Sequence, residues 1–344
     1  MNALTLLHRG GRYAALAAVI LLPALVLAAP PDAAPVAPVA PAAPVAPKAP
    51  KAPKAPMAPM AMADGPMRQF SAQKSADPTG TVEVVNVAGS IEISGWDQST
   101  VDVNGTIGDK VERVDVNSSG NRTTVRVVLP SGNSDSRHDD YDARLRIRVP
   151  QKSALDVSLV SADLRITGVT GAAHLQTVSG DINGEGSGGD LEVNTVSGDV
   201  HMAARNSHNA QFKSVSGDLV ISGPEGDVQL TTVSGDASLS LGNVTRAHLN
   251  SVSGDVNLNA SGLGSSGQVD AESVSGDISV HLGTVPDADI DVQSFSGEIH
   301  NCFGPKPVEE QYGPGSRLSF RSGKGGGRVH IDTKSGDVTL CAPK

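Results

Sequence analysis

The chain has 344 residues, with 27 basic and 37 acidic side chains, a formal net charge of −10, 38 glycines, 22 prolines, two cysteines and nine aromatic residues. Residues 1–64 hold five basic and two acidic residues, which leaves 22 basic against 35 acidic, net −13, for the rest. A body this acidic and this poor in rings excludes nucleic acid as a partner, because phosphate contacts draw on clustered Lys and Arg, and base binding on stacking aromatics.

At the N-terminus Arg9 and Arg12 precede the apolar run AALAAVILLPALVLAA, the pattern of a secretory signal peptide over residues 1–28. Val26 and Ala28 take the small-residue positions, so cleavage is expected after Ala28. The alternative is an uncleaved anchor, the one route by which this sequence would engage a membrane. The run is short for a span of ~20 residues and contains Pro23. Residues 29–66 place a proline at nearly every third position, as in PVAPVAPAAPVAPKAPKAPKAP, which disfavours helix and strand alike and makes a semi-rigid polyproline linker. The expected location is the periplasm or cell surface of a Gram-negative bacterium.

Residues 67–150 alternate apolar and polar side chains with period two, the mark of strands, in TVEVVNV, VDVNGTI, VRVVLP and RLRIRVP. We read them as a small N-terminal β cap. Within them TVEVVNVAGSIEI is a degenerate copy of the motif that follows, with Ala88, Gly89 and Ser90 in place of Ser, Gly and Asp.

From residue 151 to 344 the motif V-S-G-D recurs, with its serine at 161 (in VSAD), 179, 197, 216, 234, 253, 275, 296 and 335. A period of 18–22 residues is the signature of a solenoid, whose coils bury their faces only by stacking on each other. The last step is 39, two periods, and is read as one tetrad lost between Phe303 and Gly327. Strands flank every tetrad, with Leu191, Val193 and Thr195 inward before it and Val200 and Met202 inward after it. The inward phase slips by one residue across the tetrad, so the chain turns a corner there. Gly180, Gly198, Gly217, Gly235, Gly254, Gly276, Gly297 and Gly336 share one point of that corner, where glycine implies a positive φ or a close backbone approach.

The stretch GTVEVVNVAGSIEISGW, the strand block ending RLRIRVP and the serial VSGD coils resemble a bacterial family of β-strand-repeat, adhesin-like proteins, domain-of-unknown-function family 4097, over roughly Gly80 to Cys341. The resemblance implies a parallel β-helix or roll; period and composition alone give an all-β solenoid.

Several columns invite chemistry. Asp181, Asp199, Asp218, Asp236, Asp255 and Asp277 would stack about 4.8 Å apart, either as turn residues bonded to backbone amides or as a weak candidate column for a cation. The inward hydroxyls Thr177, Thr195, Ser214, Thr232, Ser251, Ser273, Ser294 and Thr333 are expected to form a coil-to-coil hydrogen-bonded ladder. His174, His201, His248, His300 and His330 face outward, and neighbouring coils do not repeat them, so no three-ligand set is expected to form by register. Cys302 and Cys341 each lie six residues after a tetrad serine. They share a column, and are expected to form a disulfide, if the Phe303–Gly327 excursion loops out; a full extra coil there would hold them too far apart.

No irregular cluster of catalytic groups stands out from these uniform columns, so no enzyme, cofactor or resident metal is expected. The expected function is an exported, non-catalytic, adhesin-like solenoid of the cell envelope that presents its outer face to an envelope protein or a surface glycan. Two alternatives stay open: a periplasmic envelope-stress or signalling accessory that binds another protein, and a polysaccharide-active β-helix enzyme. The departures from the motif, Phe295, Glu298 and Lys334, mark where a site would be sought first.

Overall fold

The computed structural model describes residues 67–130, 141–205, 207–309 and 315–342. The expected signal peptide, its expected cleavage point at Ala28 and the expected proline-rich linker lie outside the described residues. Among the described residues no helix is long and apolar enough to cross a membrane.

The N-terminal strands are β1 (Arg68–Ser75), β2 (Thr81–Trp96), β3 (Thr100–Ile107), β4 (Arg113–Ser119), β5 (Arg122–Val128) and β6 (Ala143–Pro150). The repeats supply β7 (Ala154–Val169), β8 (Ala173–Ser179), β9 (Ile182–Ser187), β10 (Leu191–Ser197), β11 (Val200–Arg205), β12 (Asn209–Ser216), β13 (Leu219–Ser222) and β14 (Gly226–Ser234). Then follow β15 (Ala237–Ser253), β16 (Val256–Ser275), β17 (Ile278–Leu282), β18 (Ala288–Ser294) and β19 (Ile299–Asn301). The C-terminal strands are β20 (Val308–Glu309), β21 (Ser316–Ser322), β22 (Gly327–Ser335) and β23 (Val338–Cys341).

Each coil is one strand before the tetrad, a corner at S-G-D, and one strand after it. Pre-corner strands stack in parallel as β7, β8, β10, β12, β14, β15 and β16. Post-corner strands stack as β7, β9, β11, β13, β15, β16 and β17. Tetrad serines pair with tetrad serines throughout, as Ser197 with Ser179 and Ser216. Alternate residues on both strand sets are buried and join one apolar cluster running the length of the stack. The all-β solenoid read from the period is thus the observed architecture, with strands formed where apolar residues recur at period two.

The first coil is β2. It pairs in register with β7, Ala88 with Ser161, Gly89 with Ala162 and Ser90 with Asp163, so the degenerate copy of the motif folds as a coil. Two antiparallel flaps cover its outer edge. The hairpin of β4 and β5 covers the pre-corner half, and β6, β3 and β1 in that order cover the other. Inside the second flap Asp102, 8% exposed, is bound by the Arg148 guanidinium, which also lies 4.4 Å from the Trp96 ring centre. The outermost strand of that flap, β1, is polar and largely exposed, a composition that discourages pairing with another chain.

The far end departs from sequence order. β22 pairs with β16 on one side and with β18 on the other, and β23 lies between β17 and β19. The chain therefore leaves β17, skips one coil position, builds the outer coil from β18 and β19, and returns along β21, antiparallel on the outside of β18. It then slots its C-terminal coil into the vacant position. The expectation of a tetrad lost from an extra coil is corrected: the described residues between Phe303 and Gly327 form no coil, but include the pairing of β20 with β21 and the crossover back. The crossover is held by Asp287, whose Oδ1 accepts the amides of Lys324 at 2.5 Å and Gly325 at 2.8 Å. The Gly325 amide, ahead of those of Lys324 and Gly326 and against a smaller opposing effect of desolvation, holds this carboxyl below the ordinary Asp value.

The corner glycines trace the same order. A β-carbon on Gly198 would lie 2.3 Å from the carbonyl oxygen of Gly180, and the relation repeats for Gly217 on Gly198, Gly235 on Gly217, Gly254 on Gly235 and Gly276 on Gly254 at 2.3–2.4 Å. It continues, at 2.1 Å, with Gly336 on Gly276 and Gly297 on Gly336. Seven of the eight, from Gly180 at φ 133° to Gly336 at φ 150°, are in the region that disfavours side chains; Gly297 is held by the close approach alone. Cys302 and Cys341 fall on these last two adjacent coils and are joined by a disulfide with a Cα separation of 4.8 Å.

Two outcomes follow from this geometry. Gly120, in the β4–β5 turn at φ 60°, has nothing within 4 Å of the position a β-carbon would take, so Gly120→Ala should cost about 1 kcal/mol for backbone strain. Gly217→Ala meets backbone as well and should cost at least about 3 kcal/mol; equal losses in thermal melts would show that the close approach is not limiting. Reducing the disulfide, which closes a loop of 39 residues, should cost about 3–4 kcal/mol. Hydrogen exchange should then quicken over residues 288–301 and 327–341 while β8 to β14 keep their protection.

Candidate functional site

The V-S-G-D corners align into one continuous outer edge, and its Asp column is a hydrogen-bonded ladder. The amide of Asp181 donates to Asp163 Oδ1 at 3.1 Å, and that of Asp199 to Asp181 Oδ1 at 3.0 Å. The series goes on through Asp218, Asp236, Asp255 and Asp277, each amide on the carboxylate one coil before it, at 2.8–3.0 Å. It ends with Asp337 on Asp277 and Glu298 on Asp337, both at 2.8 Å. In the other direction the carbonyl of each Asp accepts the amide that follows the corner one coil earlier, as Ile182 N to Asp199 O at 2.9 Å. One oxygen of each carboxylate is thus committed to an amide, which gives the column a structural role independent of any ion. The amide dipoles also offset repulsion between like charges stacked about 4.8 Å apart.

Beside the ladder runs a row that alternation alone passes over. Val160, Val178, Val196, Val215, Val233, Val252 and Val274 precede the tetrad serines, and each is 44–52% exposed. In the last two coils of the stack the position is Lys334 and then Phe295, the latter 68% exposed. The seven valines span roughly 29 Å at one coil per side chain. The half of each that is buried adds aliphatic contact between coils, and the β-branched side chain suits a strand end. The exposed half, next to the Ser column and with the Asp ladder beyond that, leaves a narrow apolar stripe with a polar margin on its corner side. The row is legible as the fixed V of the motif, but period-two counting marks it only as outward.

On the pre-corner face the outward side chains form ion pairs and a shallow groove of about 530 Å³ lined by Asp156, His174, Asp190, Glu192, Asn209 and Gln211, among others. His174 Nδ1 lies 3.0 Å from Glu192. The Glu192 carboxyl is held below its ordinary value chiefly by the hydrogen bond from Asn194, with His174 and Lys213 adding to it against some desolvation. His248 Nδ1 lies 3.3 Å from Asp270. At the far end two of the outward histidines, His248 and His330, have carboxylates in register with them. Because the C-terminal coil is slotted in, His330 pairs in register with Asp270 on one side and Asp291 on the other, extending an alternating column from His248. His201 lies in register with Asn183 and Val220.

The inward hydroxyl column is buried as expected, at 1–5% exposure, yet the expected coil-to-coil ladder is not what it forms. Ser251 donates to the carbonyl of Gly254 at 3.2 Å and Thr232 to that of Ser234 at 3.5 Å, both within their own corners. Ser294 reaches Gly336 in the neighbouring coil at 3.0 Å. Among the described residues Thr177, Thr195, Ser214, Ser273 and Thr333 have no hydrogen-bond partner for the hydroxyl. The strand backbones already use the inter-coil bonds, so these short side chains fill space next to the corner instead.

The model of the Toastrack family, DUF4097, matches residues 75–227 and 110–341, which together cover most of the chain. The chain belongs to that family. Solved structures similar to this Toastrack chain include one described as a putative cell adhesion protein from Clostridium sporogenes, 10% identical over 80% of this chain and 100% of the other, with a TM-score of 0.23. Another is described as a putative lipid binding protein from Parabacteroides distasonis, 13% identical over 82% and 96%, TM-score 0.33. A third, described as a putative adhesin from Bacteroides fragilis, is 12% identical over 79% and 97%, TM-score 0.32. No curated protein matches the chain. Toastrack membership agrees with the family resemblance carried by the VSGD coils.

If the ladder stabilises the Toastrack corner, Asp218→Ala, which removes the acceptor for the Asp236 amide, should lower the melting temperature by about 2–4 °C. Asp218→Asn keeps an acceptor oxygen and should lose less than half of that. Indistinguishable melts for the alanine variant and the parent would show that the ladder contributes nothing.

Proposed function

We propose that this Toastrack solenoid is a non-catalytic, adhesin-like module of the bacterial cell envelope, and that its contact surface is the V-S-G-D edge. The carrying observation is the row of seven half-exposed valines, one per coil, running alongside the exposed serine column with the aspartate ladder beyond it. The buried half of each valine serves contact between coils, and the other half points out of the core and is free for a partner. A rigid linear array of small apolar groups with hydroxyl and carboxylate margins suits a partner with its own linear repeat, a surface glycan or an extended protein segment. Each coil adds a similar small increment, so contact is spread along the edge and no one coil is indispensable. The signal-peptide pattern and the proline-rich linker support export and a body held at a distance from its tether.

The array also sets this reading apart from an enzyme. Catalysis needs unlike groups converging on one reacting atom, whereas this edge repeats the same groups coil after coil. A periplasmic accessory protein would use the same edge on a different side of the outer membrane.

The purified body should be retained by isolated envelopes of the producing bacterium. A single Val215→Ser should lower retention by about twofold, and Val178→Ser, Val215→Ser and Val252→Ser together by about eightfold. Unchanged retention of the triple variant, with its melting intact, would rule out the edge as the contact surface. Proteolysis of the body in intact cells is the outcome expected of a surface adhesin; degradation only after the outer membrane is breached would replace that reading with the periplasmic one.

A further inference from the structure

The disulfide sits in a setting that a covalent clamp does not need. Cys302 follows β19 and Cys341 ends β23, on coils made adjacent only by the insertion of the C-terminal segment; the amide of Cys302 donates to the carbonyl of Leu340 at 2.9 Å. His300 lies two residues before Cys302 and so projects from the same side of its strand. Its Nε2 is 3.6 Å from Cys302 Sγ. One ligand atom from each of His300, Cys302 and Cys341 lies within 4.8 Å of the others, a gathering of metal-binding atoms at the open end of the stack. His300 and Cys302 are exposed, and Cys341 is 9% exposed, so reagents reach the group from one side while the third ligand is anchored in the coil.

We propose that the reduced form of this group binds one thiophilic divalent cation of the Zn²⁺ type, through the thiolates of Cys302 and Cys341 and the imidazole of His300, with the fourth position open to water. A tetrahedral ion with bonds of about 2.3 Å to sulfur and 2.0–2.1 Å to nitrogen holds those two atoms about 3.5 Å apart. His300 Nε2 and Cys302 Sγ already stand at 3.6 Å. Only the two sulfurs have to part, to about 3.8 Å, and rotation of the freed side chains accomplishes that. Reaching this state takes a dithiol reductant: the Cys302–Cys341 bond breaks, taking up two electrons and two protons, and the dithiol closes to its own disulfide. The cation then displaces both thiol protons, and the imidazole supplies its neutral lone pair. Two thiolates against one divalent ion leave the site neutral.

The chemistry gives the slotted coil two interchangeable ties. Under oxidising conditions the disulfide joins the C-terminal coil to the outer one; under reducing conditions the metal bridges the same two cysteines and adds a ligand from the outer coil. This proposal is independent of the valine edge. Its ligands come from the far end of the stack, and its failure would leave the contact surface untouched.

The test uses the full-length chain, reduced without oxygen by a phosphine, freed of reductant and titrated with Zn²⁺ against a chromogenic chelator, and in parallel with Co²⁺. The reduced protein should take up one equivalent, and Co²⁺ should show an intense tetrahedral visible spectrum with a thiolate charge-transfer band. The oxidised protein should take up none at that site. His300→Ala, an exposed position, should weaken Zn²⁺ binding at least about tenfold and shift the Co²⁺ spectrum. Uptake by the reduced protein no greater than by the oxidised one would overturn the proposal. So would a His300→Ala variant with the parent's affinity and spectrum, or uptake that persists unchanged after the chain is unfolded in urea.

Discussion

The carbonyl oxygen of one corner glycine lies 2.3–2.4 Å from where the next coil's glycine would carry a β-carbon, at each successive corner from Gly180 to Gly276. The rest of the stack depends on that approach. It sets the coil spacing at the corner to that of hydrogen-bonded strands, so the strands on both sides of the corner pair without a break in register. It brings each Asp amide within reach of the carboxylate one coil earlier, which is why the residue after the glycine is an acid with a short side chain. It also fixes the valines on a straight line, because their α-carbons are held by the same corners.

Much of this is legible in the sequence because it repeats. Period two implies strands, the near-constant period implies coils, and the phase slip implies a corner in which glycine has a steric reason to be. Coil order is not legible in that way. Sequence position and stack position coincide from β2 to β17, and the motif invites extending the rule to the end. Nothing local in the Ser296 or Ser335 tetrad states that the second precedes the first in space; that is decided by the pairing of β22 with both β16 and β18. The consequences for the candidate site are hidden for the same reason. His330 acquires Asp270 and Asp291 as neighbours, and His300 comes into the company of two cysteines, only once the coils are correctly ordered.

Other departures are local. The inward hydroxyls suggest a ladder because buried polar atoms need partners, but parallel strands have already spent the coil-to-coil bonds on backbone. The half-exposed valines escape notice because outward positions in a repeat are usually free to vary. A residue kept apolar and outward at the same point of coil after coil carries information that alternation alone discards.

The slotted coil also governs how the molecule can be made. A solenoid built in sequence order can grow one coil at a time as the chain emerges, each new coil laid on a finished edge. Here the outer coil of residues 288–301 has to be held one position beyond the growing edge, or laid down temporarily and then displaced, until residues 327–341 exist. The vacancy is filled last, from the C-terminus, and Cys341 reaches Cys302 only when it is. The disulfide therefore reports that the slotted coil is in place: a chain cut or stalled before Cys341 cannot form it.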